Sequence, residues 1–317
     1  MVSTVFVFGS INADTSYRVA NLPGAGETVL ATSALSSPGG KGANQAIASA
    51  AAGASTRMIG VVGDDSAAAE VLETIAARGV DTGSIASRPH AQTGRAIVYV
   101  DDAAENSIVV LSGANNLLDD GVATTGLAAI GADDVLVLQN EVPAAANRTA
   151  ARLARAAGAT VIWNAAPAPA TIADVVRDID LLVVNQHELL QLGSILAVES
   201  IADDADATAL TVLLAAVARE LGSDAICTLG SAGAIYVADG VFGSIAAPKV
   251  HAVDTTAAGD TVVGYLAAHA HLPVEQRLRL AGSAGALTVT RPGASSSIPQ
   301  LGDVETMLAA LTERTPA

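Results

Sequence analysis

Residues 135–164 open with Val135-Leu136-Val137-Leu138-Gln139-Asn140-Glu141, run through an alanine- and arginine-rich stretch from Ala144 to Ala157, and close on Thr160-Val161-Ile162-Trp163-Asn164. The outer segments read as short buried strands and the middle as a helix. This unit recurs on both sides. Downstream, strands are expected at Leu181–Asn185, Ala225–Leu229 and Ala234–Val237, with helices at Thr208–Leu221, Ala257–Ala270 and Val274–Thr290. Upstream, Val2–Phe8 and Met58–Val62 read as strands, 41–53 as a helix ended by Gly53, and Ser66–Arg78 as a helix closed by Gly79. Such alternation implies a three-layer α/β/α fold with a mostly parallel sheet.

One region departs from the pattern. Between Gly94 and Leu111 apolar residues alternate (Ala96, Val98, Val100, then Ile108, Val110) around Asp101–Asn106, which signals a β-hairpin. The polar segment 11–38 holds a turn at Pro23–Gly26, with short strands expected at Val29-Leu30 and Ala34-Leu35. A small β lid is therefore expected from 11–38 and 94–112, on a large domain of 1–10, 39–93 and 113–317.

Composition narrows the function. Of 317 residues 51% are hydrophobic but only 3% aromatic, so the core is built from small and branched aliphatics. The net charge of −16 argues against nucleic acid and anionic membranes as partners. The acidic doublets, among them Asp101-Asp102 and Asp203-Asp204, read as solvated loops and helix starts. The single cysteine, Cys227, excludes an intrachain disulfide and lies in a buried strand. Without a basic N-terminal region or a membrane span, a cytoplasmic protein is expected.

Polar residues cluster where the strands end, the edge at which parallel sheets bind ligands. After a strand-like run at Lys249–Val253 comes Asp254-Thr255-Thr256-Ala257-Ala258-Gly259-Asp260-Thr261, leading into a helix. Open N–H groups of Ala258, Gly259 and Asp260 would attract an anion, and Asp260 beside them could accept a hydroxyl proton. A helix-capping role for Asp260 fits the spacing equally well. Pro38-Gly39-Gly40-Lys41-Gly42-Ala43-Asn44-Gln45 is either a ligand-approaching loop or a plain turn, and it lacks the spacing of a phosphate-binding Walker loop. Asn12 and Asp14 share one side of an extended chain and suit two sugar hydroxyls, or an Asx turn. Asn185 with Glu188 reads as a capping box or as a site near magnesium-bound water. Thr228-Leu229-Gly230-Ser231-Ala232-Gly233 reads as a nucleotide-contacting loop or a hairpin turn. His269 and His271 do not face one metal site on a helix. The Gly-x-Gly-x-x-Gly expected of a dinucleotide dehydrogenase does not follow the first strand.

Taken in order, these segments resemble the ribokinase/PfkB family of carbohydrate kinases. The resemblance also spans Pro23–Thr28, Gly63-Asp64-Asp65, Gly113-Ala114-Asn115, Gln139–Pro143, Asn164–Pro169 and Thr290-Arg291-Pro292-Gly293-Ala294. It implies ATP-dependent phosphorylation of a primary sugar hydroxyl, with D-ribose the leading substrate. Other pentoses, deoxyribose or a nucleoside are the alternatives within the class. It assigns Asn12, Asp14, Gly40, Lys41, Asn44 and Glu141 to the sugar. Asn185, Glu188, Thr228, Gly230, Ser231, Gly233 and Gly259 fall on the Mg-ATP side. Ala258 and Gly259 form the anion hole, with Asp260 as base. For a monovalent cation, usually K⁺, it implies Asp254, Thr256, Thr288, Arg291, Gly293 and Ser297, with Arg291 contributing only its carbonyl. A homodimer through the lid is expected. The chain departs from the pattern at Val262-Val263-Gly264, usually Phe-Asn-Gly, and at Gly282, often Asn or His near adenine. A sugar-binding regulatory protein that has lost catalysis is the rival from another class, against which the intact Gly259-Asp260 pair stands.

Overall fold

The computed structural model describes residues 3–101, 106–198, 202 and 206–313. Residues 102–105 of the hairpin loop expected at Asp101–Asn106 and the acidic pair Asp203-Asp204 lie outside them. In chain order the strands are β1 (Thr4–Phe8), β2 (Asn12–Val19), β3 (Ala31–Gly39), β4 (Ser55–Val62), β5 (Val80–Ser87), β6 (Arg95–Val100), β7 (Asn106–Leu111), β8 (Val135–Gln139), β9 (Thr160–Asn164), β10 (Leu181–Asn185), β11 (Asp224–Thr228), β12 (Ala234–Ala238) and β13 (Val241–Ile245). The helices are α1 (Lys41–Ala51), α2 (Ser66–Ala77), α3 (Asp120–Gly126), α4 (Ala144–Ala156), α5 (Gln186–Ile195), α6 (Ala207–Leu221), α7 (Ala258–Ala268), α8 (Val274–Thr288) and α9 (Leu301–Glu313).

Nine strands form one sheet in the order β13-β12-β11-β10-β9-β8-β1-β4-β5. All neighbours from β11 to β5 run parallel; only β12 and β13 add antiparallel. Alternation along β1 shows why both faces are covered. Phe6 and Phe8 join one apolar cluster with residues of α4, α5 and α6, while Val5 and Val7 join another with α1, α7 and α8. Burying both faces requires runs such as VLVLQ of β8, in which every residue is buried. Trp163 is the bulkiest fully buried side chain, and small residues fill most of the remaining core. No helix among the described residues is long and apolar enough to cross a membrane.

A second sheet, in the order β3-β2-β6-β7, is entered directly from the carboxyl end of β1. The expected hairpin is its β6–β7 pair, and β2 joins it to β3 by running parallel to β6. Two expected strands are absent. Val29-Leu30 is irregular, and strand β3 begins only at Ala31; residues 249–253, although partly apolar, find no strand to pair with. The large sheet exposes its carboxyl edge beneath this lid, where Ser10, Glu141, Asn164, Asn185 and Thr228 lie at or just beyond the strand ends.

Candidate active site

The centre of the site is Asp260. It is the third residue of α7, not its cap: the N-cap is Ala257, in the left-handed region at φ 59°, and no side chain caps the helix. The capping alternative therefore fails. The N–H of Ala258 is not open as expected, since it donates to the Thr255 carbonyl at 3.3 Å; the turn that creates the helix start consumes it. The N–H groups of Gly259 and Asp260 find no acceptor among the described residues, and Gly259 is exposed. A Cβ built on Gly259 would meet no protein atom within 4 Å.

Two adjacent amides of α1 hold the Asp260 carboxylate. Asn44 Nδ2 donates to Oδ2 and Gln45 Nε2 to Oδ1, each at 3.0 Å. Burial pushes the Asp260 carboxyl above its usual range; Lys41, Asn44 and Gln45 act against that, while Glu141 adds to it. Lys41 is held above its ordinary value chiefly by Asp260, so it remains a cation.

The expected sugar residues gather on the lid side. Asn12 and Asp14 share one face of β2. Asn12 Oδ1 accepts from Asn115 Nδ2 at 2.8 Å, and Asp14 Oδ1 from the Ala96 N–H at 2.9 Å. Burial raises the Asp14 carboxyl to about 7, the Ala96 N–H opposes this and Glu141 adds to it. Glu141 Oε2 accepts from Ser10 Oγ and from the backbone N–H of Lys41. The glycines of this loop serve the protein's own packing: a Cβ on Gly42 would come within 2.6 Å of Ser10 N, and Gly40 has φ 83°. The loop's glycines thus let α1 start against the end of β1.

On the other side Asn185 and Glu188 form a complete capping box at the start of α5. Glu188 Oε2 takes the Asn185 N–H, and burial raises its carboxyl. Thr228 lies in register with Asn185 on the neighbouring strand. Gly230 and Ser231 occupy an exposed 3-10 turn (230–232) that closes the β11–β12 hairpin. A Cβ on Gly230 would meet open space, whereas one on Gly233 would strike the Ile245 carbonyl; Gly233 is needed by the hairpin itself.

Of the expected cation residues, Asp254, Thr256 and Gly293 come together. The Asp254 carboxylate accepts from the N–H and hydroxyl of Thr256 and the N–H of Gly293. Burial pushes this carboxyl up, but those hydrogen bonds hold it below its usual range. The Thr288 hydroxyl turns to Thr261 and the Ala284 carbonyl, and that of Ser297 to the Ala294 carbonyl. The Arg291 side chain points away to Asp303, 3.6 Å off, leaving only its backbone for the site. Cys227 is buried and its thiol is pushed up to about 12, chiefly by desolvation, so it is not a nucleophile.

Sequence reading named the buried polar residues beneath these groups only as members of longer segments and gave them no role. Gln45, Asn115 and Asn164 are all buried and hydrogen-bonded into the site. The side chains they meet, Asp260, Asn164 and Asn12, lie more than 100 residues from their partners, so nothing local in the sequence pairs them.

The chain matches the pfkB family carbohydrate kinases over residues 2–301. It is 35% identical to the ribokinase of Schizosaccharomyces pombe over 311 residues, covering 95% of this chain and 96% of that one. With the ribokinase of Haemophilus influenzae identity is also 35%, over 94% and 96% of the two chains. Among solved structures, ribokinase from Thermotoga maritima superposes with a TM-score of 0.85 at 30% identity, over 98% of this chain and all of that one. Arabidopsis thaliana ribokinase, complexed with ribose and ATP, gives 0.83 at 27% identity over 97% and 99%. The shared fold, the uncapped head of α7 with its buried carboxylate and these full-length relationships together place the chain in the PfkB family of carbohydrate kinases.

Proposed function

We propose that this protein transfers the γ-phosphoryl group of ATP to the primary hydroxyl of D-ribose, giving ribose 5-phosphate and ADP. The observation that carries the reading is the buried Asp260 carboxylate beside two unpaired N–H groups at the head of α7. An acid in an anion-attracting turn makes chemical sense where a hydroxyl must lose its proton next to a phosphate. Asp260 takes the proton of the sugar hydroxyl, and the resulting oxygen attacks the γ-phosphorus in line as ADP departs. The N–H groups of Gly259 and Asp260 stabilise charge on the transferring group.

Asn12, Asp14, Lys41, Asn44 and Glu141 bind and orient the sugar. Asn44 Oδ1 is buried and without a partner, which leaves it free to accept from a sugar hydroxyl. The ATP side is formed by Asn185, Thr228, Gly230 and Ser231. The second oxygen of Glu188 accepts no hydrogen bond among the described residues, which fits contact with the water shell of Mg²⁺; bound with ATP, that ion neutralises phosphate charge. Asp254, held as an anion, with Thr256 and the carbonyls of Thr288, Arg291 and Gly293, suits K⁺, which would steady the turn ahead of α7.

The lid comprises 11–38 and 94–112, and its closure excludes water from the reacting groups. Residues paired in register share a face, so Thr15, Tyr17, Ile97, Tyr99 and Val109 lie on the face opposite Asp14. Tyr17 and Tyr99 stack there with ring centroids 5.9 Å apart, and Val109 is 59% exposed. A second copy of the chain covers this apolar face in a homodimer. Dependence on ATP accords with a cytoplasmic enzyme.

The test is ADP release from Mg-ATP in K⁺ buffer against pentoses, hexoses and nucleosides. Turnover strongest with D-ribose is expected. Turnover strongest with another sugar would move the substrate but keep the chemistry, and silence across the panel would favour a sugar-binding regulator.

A further inference from the structure

We propose that Gln45 is a positioning residue for phosphoryl transfer: its buried amide fastens Asp260 to the central sheet through Asn164. The proposal rests on Asp260 being the base. The Gln45 side chain is wholly buried, and its one nitrogen serves two acceptors, Asp260 Oδ1 and Asn164 Oδ1, each at 3.0 Å. An amide NH₂ has two hydrogens to give, so both bonds are made together.

The orientation of every member follows from chemistry. The Val183 carbonyl on β10 can only accept, so Asn164 must turn its Nδ2 toward it, at 3.0 Å. That leaves Asn164 Oδ1 facing Gln45. Gln45 then meets two acceptors, an ionised carboxylate and an amide oxygen, and only its nitrogen can face them. The polarity of one sheet carbonyl is thus relayed over three side chains to a single carboxylate oxygen.

Asn44 and Gln45 differ in consequence. Asn44 has a free oxygen on the sugar side and can exchange partners as the sugar enters. Gln45 is locked behind the carboxylate and holds it in both states. Oδ1 is thereby fixed, and Oδ2 is the oxygen presented to the hydroxyl. The same donor favours the ionised form against burial. The other groups that face Asp260 are Lys41, which favours the anion, and Glu141, which opposes it; Glu188 couples to both Asp260 and Lys41.

The test is the pH profile of kcat at saturating sugar and ATP, where the bound sugar holds Asp14 ionised and only groups of the complex titrate, for Gln45→Met, which keeps volume and removes both donors. A hydrogen bond to a charged group contributes about 1.5–3 kcal/mol, so the acid limb should move up by about one to two pH units. On the acid limb the rate at a given pH should fall at least about tenfold and recover as pH rises, with the Kd for sugar changed less than about threefold. If Gln45→Met does not fold, Asn164→Val releases the far anchor and should shift the limb in the same direction by less. An unmoved acid limb, with loss by one factor at every pH, would overturn the proposal in either variant. Asp260→Asn separates this from the underlying reading: near-normal turnover in that variant would remove Asp260 as base, whereas its inactivity beside an unmoved limb in Gln45→Met would sink only the role of Gln45.

Discussion

Glu141 and Lys41 are joined across 100 residues of sequence: the Glu141 carboxylate accepts the backbone N–H of Lys41 at 2.8 Å. Helix α1 has no side-chain cap of its own, because its N-cap is Gly40. The cap comes instead from the end of β8, and the same oxygen takes Ser10 Oγ at 2.6 Å while Ser10 Oγ receives the Gly42 N–H at 3.2 Å. One carboxylate thus ties β1, β8 and α1 at the place from which, on the proposed reading, Lys41 and Asn44 reach the sugar. Glu141→Ala should cost about 1–3 kcal/mol of stability, the range for a partly buried cap and hydrogen bond. It should also raise the sugar KM at least tenfold with little change in the ATP KM. Thermal melts and initial rates with each substrate varied check both parts; an ATP KM raised as much as the sugar KM would contradict a local role.

Gly259 is a residue that the fold itself does not demand. Its Cβ would meet nothing within 4 Å, and it stands in the first turn of α7 without a left-handed φ. Alanine is the better helix former by up to about 1 kcal/mol. Gly259→Ala should therefore leave the melting temperature unchanged or slightly higher, while lowering kcat by about tenfold or more as the methyl enters the space of the transferring phosphate. A stable variant with full turnover would show that the space before Gly259 is not used.

What could be read in the sequence and what could not divide by physical cause. Strands β8 to β11 were legible because burial on both faces makes them almost uniformly apolar. Strands β2, β5 and β13 were not: NADTSYRV, VDTGSIAS and VFGSI lie at edges or in the half-exposed small sheet, where pairing with a neighbour rather than composition decides the structure. The partly apolar stretch 249–253 failed in the opposite sense, having the composition of a strand but no edge to join. In the site, the residues at strand ends and at the head of α7 were legible from position. Gln45, Asn115 and Asn164 stood in segments the sequence singled out, but their roles were not legible, since an amide in a helix or strand says nothing of a partner on another element.

The outer face of the lid provides a test of assembly. Tyr17, Ile97, Tyr99 and Val109 form one apolar surface on a sheet that two separate chain segments build. Tyr99→Arg places a charge at its middle, and burying an unpaired charge at an interface is strongly unfavourable. If this face is the proposed dimer contact, sedimentation equilibrium should show dimer association weakened at least tenfold, with the sugar KM raised because the lid loses the support of its partner. A wild-type protein that sediments as a monomer at micromolar concentration would overturn the assembly.

Asp14 offers a test through pH. Its carboxyl is raised by burial to about 7, from an ordinary value of 3.8. A carboxyl raised in the folded state favours the neutral form, so its contribution to stability is complete below pH 3.8 and is lost as pH climbs through 7. The sugar has the opposite preference, because hydroxyls that donate to Asp14 favour the anion. Two slopes of opposite sign follow. Between pH 5 and 8 the sugar-free protein should lose melting temperature, and Asp14→Asn should lose less, since it cannot ionise; Asp260 and Glu188, also raised, contribute equally to both proteins and cancel in the difference. Over pH 6 to 8 the wild-type Kd for sugar should tighten by about tenfold, the most that one titrating group near 7 can give. Asp14→Asn should bind more weakly and without that slope. Calorimetry of sugar binding and melts across this range check the pair of signs, and parallel pH slopes in the two proteins would show that Asp14 is not the group that titrates.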